Sequence, residues 1–347
     1  MNTRHKKIRA AAAAVALFGS VFLAAGAAFS DTPPAPPKAK LPKNLSGLAG
    51  PFDLAGPLKP EVRYYIQETR YVHLGFDGKR TGTETYTMKV RLVPAVLSGK
   101  GGDEYTVGEF AVRRGDGEAE TIPELAGWSY VFDEKAAGVD DRNQLFGISH
   151  ARFENLTTSR GRKFAGLESY PVWCSLIDFH SFCDVFARPR KKGVGIQDLK
   201  MVGQTIRHST AFSEAPVALG TAMKEGSLFH NGDIRLVFKG LSVVDGAPCA
   251  VVGYDSGEST VKMIMPMAAG QDIVTDGGSE YLGDIDIDLA TRWVRRATLD
   301  EFVVTETRVP AMGAAGEVRT IQAYTVRHIL ARLISREEFE AGQAAGK

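Results

Sequence analysis

Residues 85–92 read Thr85-Tyr86-Thr87-Met88-Lys89-Val90-Arg91-Leu92, a strict alternation of polar and apolar side chains. Successive side chains of an extended strand point to opposite faces, so Tyr86, Met88, Val90 and Leu92 share a dry face while their neighbours meet water. The same period recurs where Ile234, Leu236 and Phe238 alternate with Asp233, Arg235 and Lys239. It recurs again where Ile285, Ile287 and Leu289 alternate with Asp284, Asp286 and Asp288. Strands of a parallel sheet, covered on both faces, read as continuous apolar runs; alternation predicts an antiparallel sheet. Turn chemistry agrees. Asp77-Gly78 and Asp245-Gly246 each separate two such strands, as a hairpin requires. Further strands are expected at 105–113, 129–133, 261–265, 293–305 and 317–333.

Helical signal is sparse. Ser335 with Glu338 forms a capping pair for a short terminal helix, and 120–125, 140–153 and 194–203 are open to short helices. The chain is therefore expected to be mainly β, a large antiparallel sheet with a few short helices. Its 347 residues, 44% hydrophobic and 24% charged, exclude wholesale disorder. A formal net charge of +1 offers no basic field of the kind that holds nucleic acid.

Arg4, Lys6, Lys7 and Arg9 precede a charge-free apolar run to Phe29 that ends in small residues, the layout of a secretory signal peptide over residues 1–30. Its removal takes four basic and no acidic side chains from totals of 42 and 41, leaving a mature chain about three charges negative. An uncleaved N-terminal anchor is the alternative, since some twenty apolar residues span a bilayer. That leader is the only membrane contact expected. No cysteine ends the run, so no lipid attachment point is present. Half of the 16 prolines fall in residues 31–60, which reads as an extended tether. Residues 61–347 form one β-rich domain, with a sub-boundary to consider at 189–195.

Cys174 and Cys183 lie nine positions apart, and in an exported chain they are disulfide candidates. Two reduced buried thiols, or a metal trio with His180, are the other readings. The catalytic search is negative. No HExxH helix, Walker loop or dinucleotide fingerprint occurs, and Gly147-Ile148-Ser149-His150-Ala151 lacks the second glycine of a nucleophile elbow. Asp284, Asp286 and Asp288 lack the glycine of a calcium loop, since Leu289 stands there, and read as a solvated strand face. No catalytic residue, metal site or cofactor is assigned.

The segment Tyr281-Leu-Gly-Asp-Ile-Asp-Ile-Asp-Leu-Ala-Thr291, followed by Trp293 to Leu299, resembles a strand–turn–strand element of exported bacterial all-β proteins of unknown function. The resemblance implies an organisation like the open half-barrel of periplasmic lipoprotein carriers. The sheet is then strongly curved, a half-barrel or sandwich, with Asp-Leu-Ala-Thr making a turn in which Arg292 replaces the usual glycine. A curved sheet can hold an apolar ligand on its concave face, and the aromatic wall candidates are Tyr64, Tyr86, Trp128, Trp173 and Trp293, with Phe110 and Phe132 beside them.

Three function classes follow. The first is a non-catalytic exported module, periplasmic or extracellular, that binds an apolar ligand, a lipid or an envelope protein. The second is a structural envelope protein with a filled core. The third is a hydrolase-type enzyme whose site assembles only in the fold.

Overall fold

Asp245 and Gly246 adopt φ of 48° and 79°, the doubly left-handed backbone of a two-residue hairpin turn, and Asp-Gly is a pair that tolerates it. The hairpins expected at Asp77-Gly78 and Asp245-Gly246 both form, with residue-by-residue antiparallel pairing on either side. The computed structural model describes residues 50–133, 144–164, 166–189, 192–208, 212–213, 224–230, 232–267, 271–310 and 318–341. The leader, most of the proline-rich stretch and part of 189–195 lie outside them.

In chain order the strands are β1 Arg63–Leu74, β2 Arg80–Val93, β3 Glu104–Arg114, β4 Glu120–Thr121, β5 Ser129–Val131, β6 Gln144–Leu145, β7 Ile148–Ser149 and β8 Thr205–Arg207. There follow β9 Phe212–Ser213, β10 Leu228–His230, β11 Arg235–Val244, β12 Ala247–Asp255, β13 Ser259–Pro266, β14 Asp272–Asp288, β15 Val294–Pro310 and β16 Val318–Ile334. Among the described residues three α-helices accompany them: α1 Ala95–Ser98, α2 Tyr170–His180 and α3 Arg336–Glu340. Among the described residues, fourteen strands form one open antiparallel sheet: ten follow the path β4-β3-β2-β1-β16-β15-β14-β12-β11-β8, and β5, β13, β10 and β9 branch from it. The long β14 pairs with β13 along one half and with β12 along the other, so the sheet forks there.

Sequence periodicity is silent on α2. It runs on through a wider π turn, Ser181–Phe186, and Trp173, Leu176, Phe179, Phe182, Cys183 and Phe186 are all buried. A helix buried along most of its length shows no solvent-facing stripe to reveal it, since its charged residues are themselves paired inside. Its short span from Phe179 to Phe186, about 10 Å of helix, touches both ends of the main sheet. Phe179 packs edge-on to Tyr65 of β1 and Tyr105 of β3, while Phe182 and Phe186 meet Tyr254 of β12. Six inter-strand gaps separate β3 from β12, about 29 Å in a flat sheet. The sheet therefore curls around the helix, and the helix occupies its concave face.

Three local expectations need correction. Cys174 and Cys183 are buried free thiols. Nine residues along a helix separate them by about 13 Å, well beyond the Cα span a disulfide bridges. The acidic row is not solvated throughout: Asp286 and Asp288 are buried because β12 and the β15 arginines cover that end of β14. The end of the proline-rich stretch is not a free tether either. Phe52 packs edge-on to Phe238, Leu54 joins the core, and Lys59 N donates to Thr291 O. The terminal helix forms as expected, with Ser335 Oγ accepting from Glu338 N. Among the described residues, no helix is long and apolar enough to cross a membrane.

The curl depends on what fills it. Phe179→Ala removes a fully buried ring shared by two strands, and a loss of about 3–5 kcal/mol in unfolding free energy is expected by denaturant titration. A loss under 1 kcal/mol would show that the helix is not the core of this sheet.

Candidate functional site

The buried helix carries charge. His180 ends the α-helix, Asp184 lies one turn on in the π segment, and Arg188 follows just past its end. His180 Nδ1 lies 2.8 Å from Asp184 Oδ2, and Tyr130 Oη lies 2.7 Å from His180 Nε2. Tyr105 Oη donates to Asp184 Oδ2 at 2.8 Å, and Arg188 Nη2 donates to Asp184 Oδ1 at 2.6 Å. Arg188 also reaches Asp103 at 3.4 Å and lies over the Trp293 ring. Burial pushes the Asp184 carboxyl up, but the Arg188 charge and the bonds from His180 and Tyr105 outweigh it and hold Asp184 below its ordinary range.

A second cluster sits one turn earlier. Arg327 of β16 donates to Asp178 of α2 and to Glu301 of β15, each at 2.6 Å. One guanidinium thus serves two carboxylates. Burial, with Glu301 adding repulsion, pushes Asp178 up to about 6 despite Arg327. Burial likewise pushes up the Cys174 and Cys183 thiols, and Cys249 to about 12, which leaves all three unreactive at neutral pH.

The His180–Asp184 pair is buried, the Arg327 cluster is nearly so, and Arg188 is partly open. These pairings tie the helix to the sheet around it. His180 and His328 each meet an aspartate, but in different regions: His180 inside the curl, His328 with Asp300 exposed on β15 and β16. Among the described residues, no three His, Cys, Asp or Glu side chains are placed to hold a metal.

An open site lies at the rim. The β14–β15 hairpin turns through Leu289, Ala290, Thr291 and Arg292, fixed by Asp288 Oδ1, which accepts from Ala290 N and Thr291 N at 2.8 Å each. Arg292 N donates to Asp288 O, and Asp288 N to Trp293 O. This closure forces Arg292 to φ 67°, a left-handed backbone that costs a non-glycine residue about 1 kcal/mol. The turn matches the one implied by the resemblance, with arginine at the position that favours glycine. Residues 54–58 cross over it and leave a cleft of about 90 Å³ lined by Leu54, Leu58, Ile196, Ile287, Arg188 and Arg292 among others. Arg292 Nε and Nη1 are shielded from solvent and have no hydrogen-bond partner. Gly56 lies directly against the guanidinium: a Cβ there would stand 3.3 Å from Nε.

The aromatic wall candidates are dispersed. Tyr64 turns away from the core to Phe339 of α3, while its neighbour Tyr65 points inward, since one residue along a strand changes face. Tyr86 is buried and donates to Glu84 at 2.7 Å. Trp128 stacks on Tyr130, and Trp173 is buried on α2. Phe110 is buried beside Tyr86, and Phe132 stacks on His180. Trp293 follows the cleft residue Arg292, its Nε1 donating to Lys59 O at 2.9 Å and its ring in cation–π contact with the guanidinium groups of Arg63 and Arg188. Arg292 and Arg188 escaped the sequence reading. The one available signal was an arginine at a turn position where glycine is usual.

No known family matches the chain, and no curated protein matches it. Among solved structures, a chain described under the asymmetric conductivity of engineered proteins aligns at 11% identity over 79% of this chain and 99% of that one, with a TM-score of 0.15. A DUF1329 family protein from Desulfovibrio piger aligns at 11% identity over 81% and 91%, with a TM-score of 0.13. Neither score indicates a shared fold.

The sign of the Asp178 effect is testable. Its carboxyl titrates near 3.8 in the unfolded chain and near 6 in the folded one. The folded state therefore binds more protons between those values, and stability falls as pH rises through the window. Relative to Asp178→Asn, the wild type should lose on the order of 2–3 kcal/mol of unfolding free energy between pH 4 and pH 7. Parallel stability curves for the two proteins would contradict the shared-arginine account.

Proposed function

We propose that this chain is a non-catalytic binding module that works outside the cytoplasm and takes its ligand at the rim cleft, not inside the sheet. The reading rests on one contrast. The concave face is filled by the protein's own helix, whose charges are paired internally, while the rim cleft sets apolar side chains beside a guanidinium two of whose nitrogens, Arg292 Nε and Nη1, have no hydrogen-bond partner. Ligand sites pair apolar walls with a few convergent polar groups. At about 90 Å³ the cleft takes a head group or a few atoms, not a whole lipid. The leader of residues 1–30 supports export, and the proline-rich stretch gives reach before its last residues dock.

A structural envelope protein is the second reading. It is favoured by Leu282, Phe302 and Val304, apolar side chains left exposed on β14 and β15 and suited to a protein partner.

The full chain, expressed with its leader in a bacterial host, should be recovered from the envelope or medium. Native mass spectra should show a small bound mass that leaves on denaturation and is lost in Ala55→Trp, which caps the cleft. Retention in the cytoplasm, or a bare chain at its calculated mass, would overturn the proposal and favour the structural reading.

A further inference from the structure

We infer that Arg292 anchors an oxyanion, carboxylate or phosphate, in the rim cleft; this deepens the binding-module reading and rests on it. Four observations converge on the residue. Its backbone is held at φ 67°, where glycine is the ordinary occupant, so the arginine is there against local preference. Two of its guanidinium nitrogens are shielded from solvent without a partner, a state that buried N–H groups rarely keep. The residue lines an open cleft, and the Gly56 backbone lies where a side chain would crowd the guanidinium. Its neighbours are otherwise engaged: Arg188 is bound by Asp184 and Asp103, Arg295 by Asp288 and Arg296 by Asp286.

Arginine is the side chain best suited to such an anion, since its planar donors match carboxylate and phosphate oxygens. Arg188 adds a second positive charge to the lining, partly offset by its two aspartates. Asp53 is the nearby carboxylate that opposes an anion: its Oδ1 accepts from Ala55 N at 3.1 Å, while its Oδ2 lies, like Arg292 Nε, against Gly56. Leu54, Leu58, Ile196 and Ile287 give the rest of the lining its apolar character. The chemistry is that of an anionic head with an apolar stem, or of a free anion of the same class.

The test uses the purified full chain and four probes: octanoate, octyl phosphate, neutral octanol and inorganic phosphate, each followed by calorimetric titration. Octanoate and octyl phosphate should bind at least tenfold more tightly than octanol. Arg292→Gly should weaken both at least tenfold while leaving the melting temperature of the unliganded protein unchanged or higher, because glycine suits the turn. A purely structural arginine would instead lower that temperature and leave affinity alone. Inorganic phosphate binding as tightly as octyl phosphate would support the anion site and identify a free anion as the ligand. Weaker inorganic phosphate would identify an amphiphile head. Octanol binding as well as octanoate, both abolished by Ala55→Trp, would overturn the oxyanion inference and leave the binding module standing. No binding by any probe, with bare native spectra, would overturn both.

Discussion

The architecture depends on burying one helix that carries charge. A mostly apolar segment, Trp173 to Phe186, cannot remain in water, and an antiparallel sheet with one apolar face cannot remain flat around it. Strands as remote as β3 and β12 both reach the same turns of helix, so closure of the curl and burial of the helix are a single event. Asp178, His180 and Asp184 ride inside with it. Each must find a partner on the surrounding structure, because a lone charge in such surroundings is far more costly than a paired one.

That requirement ties sheet register to helix position. Arg327 reaches Asp178 only from its place on β16, Tyr105 reaches Asp184 only from β3, and Gln67 of β1 donates to the Ser175 carbonyl at 2.6 Å. A slip of one residue in any of these strands would turn its donor to the opposite face. The polar contacts contribute specificity, while the aromatic packing of Phe179, Phe182 and Phe186 supplies most of the driving force.

The rim cleft follows from the same frame. The end of the proline-rich stretch crosses the β14–β15 turn, and Trp293 donates to the Lys59 carbonyl and lies under the guanidinium of Arg188, just past the end of the buried helix. Among the described residues, the end of the helix, the turn and the crossing segment line one cleft at this rim. The interior, by contrast, is filled by packed side chains and internally paired charges.

The strands and hairpins were legible in the sequence because period-two alternation and Asp-Gly turns are local properties of the chain: Tyr86 to Leu92 and Asp245-Gly246 carry their own reading. The capping of α3 by Ser335 was legible for the same reason. Local pattern could not disclose α2, since a helix whose charged residues are paired inside the protein shows no solvent-facing stripe, nor could it place Tyr65 inward in preference to Tyr64. Asp286 and Asp288 read as solvated because alternation reports which residues share a face and not what covers it. The rim site, too, was decided only by tertiary structure: Leu54, Ile196 and Arg292 are far apart in the chain, and only the folded sheet brings an unpartnered guanidinium to an apolar floor.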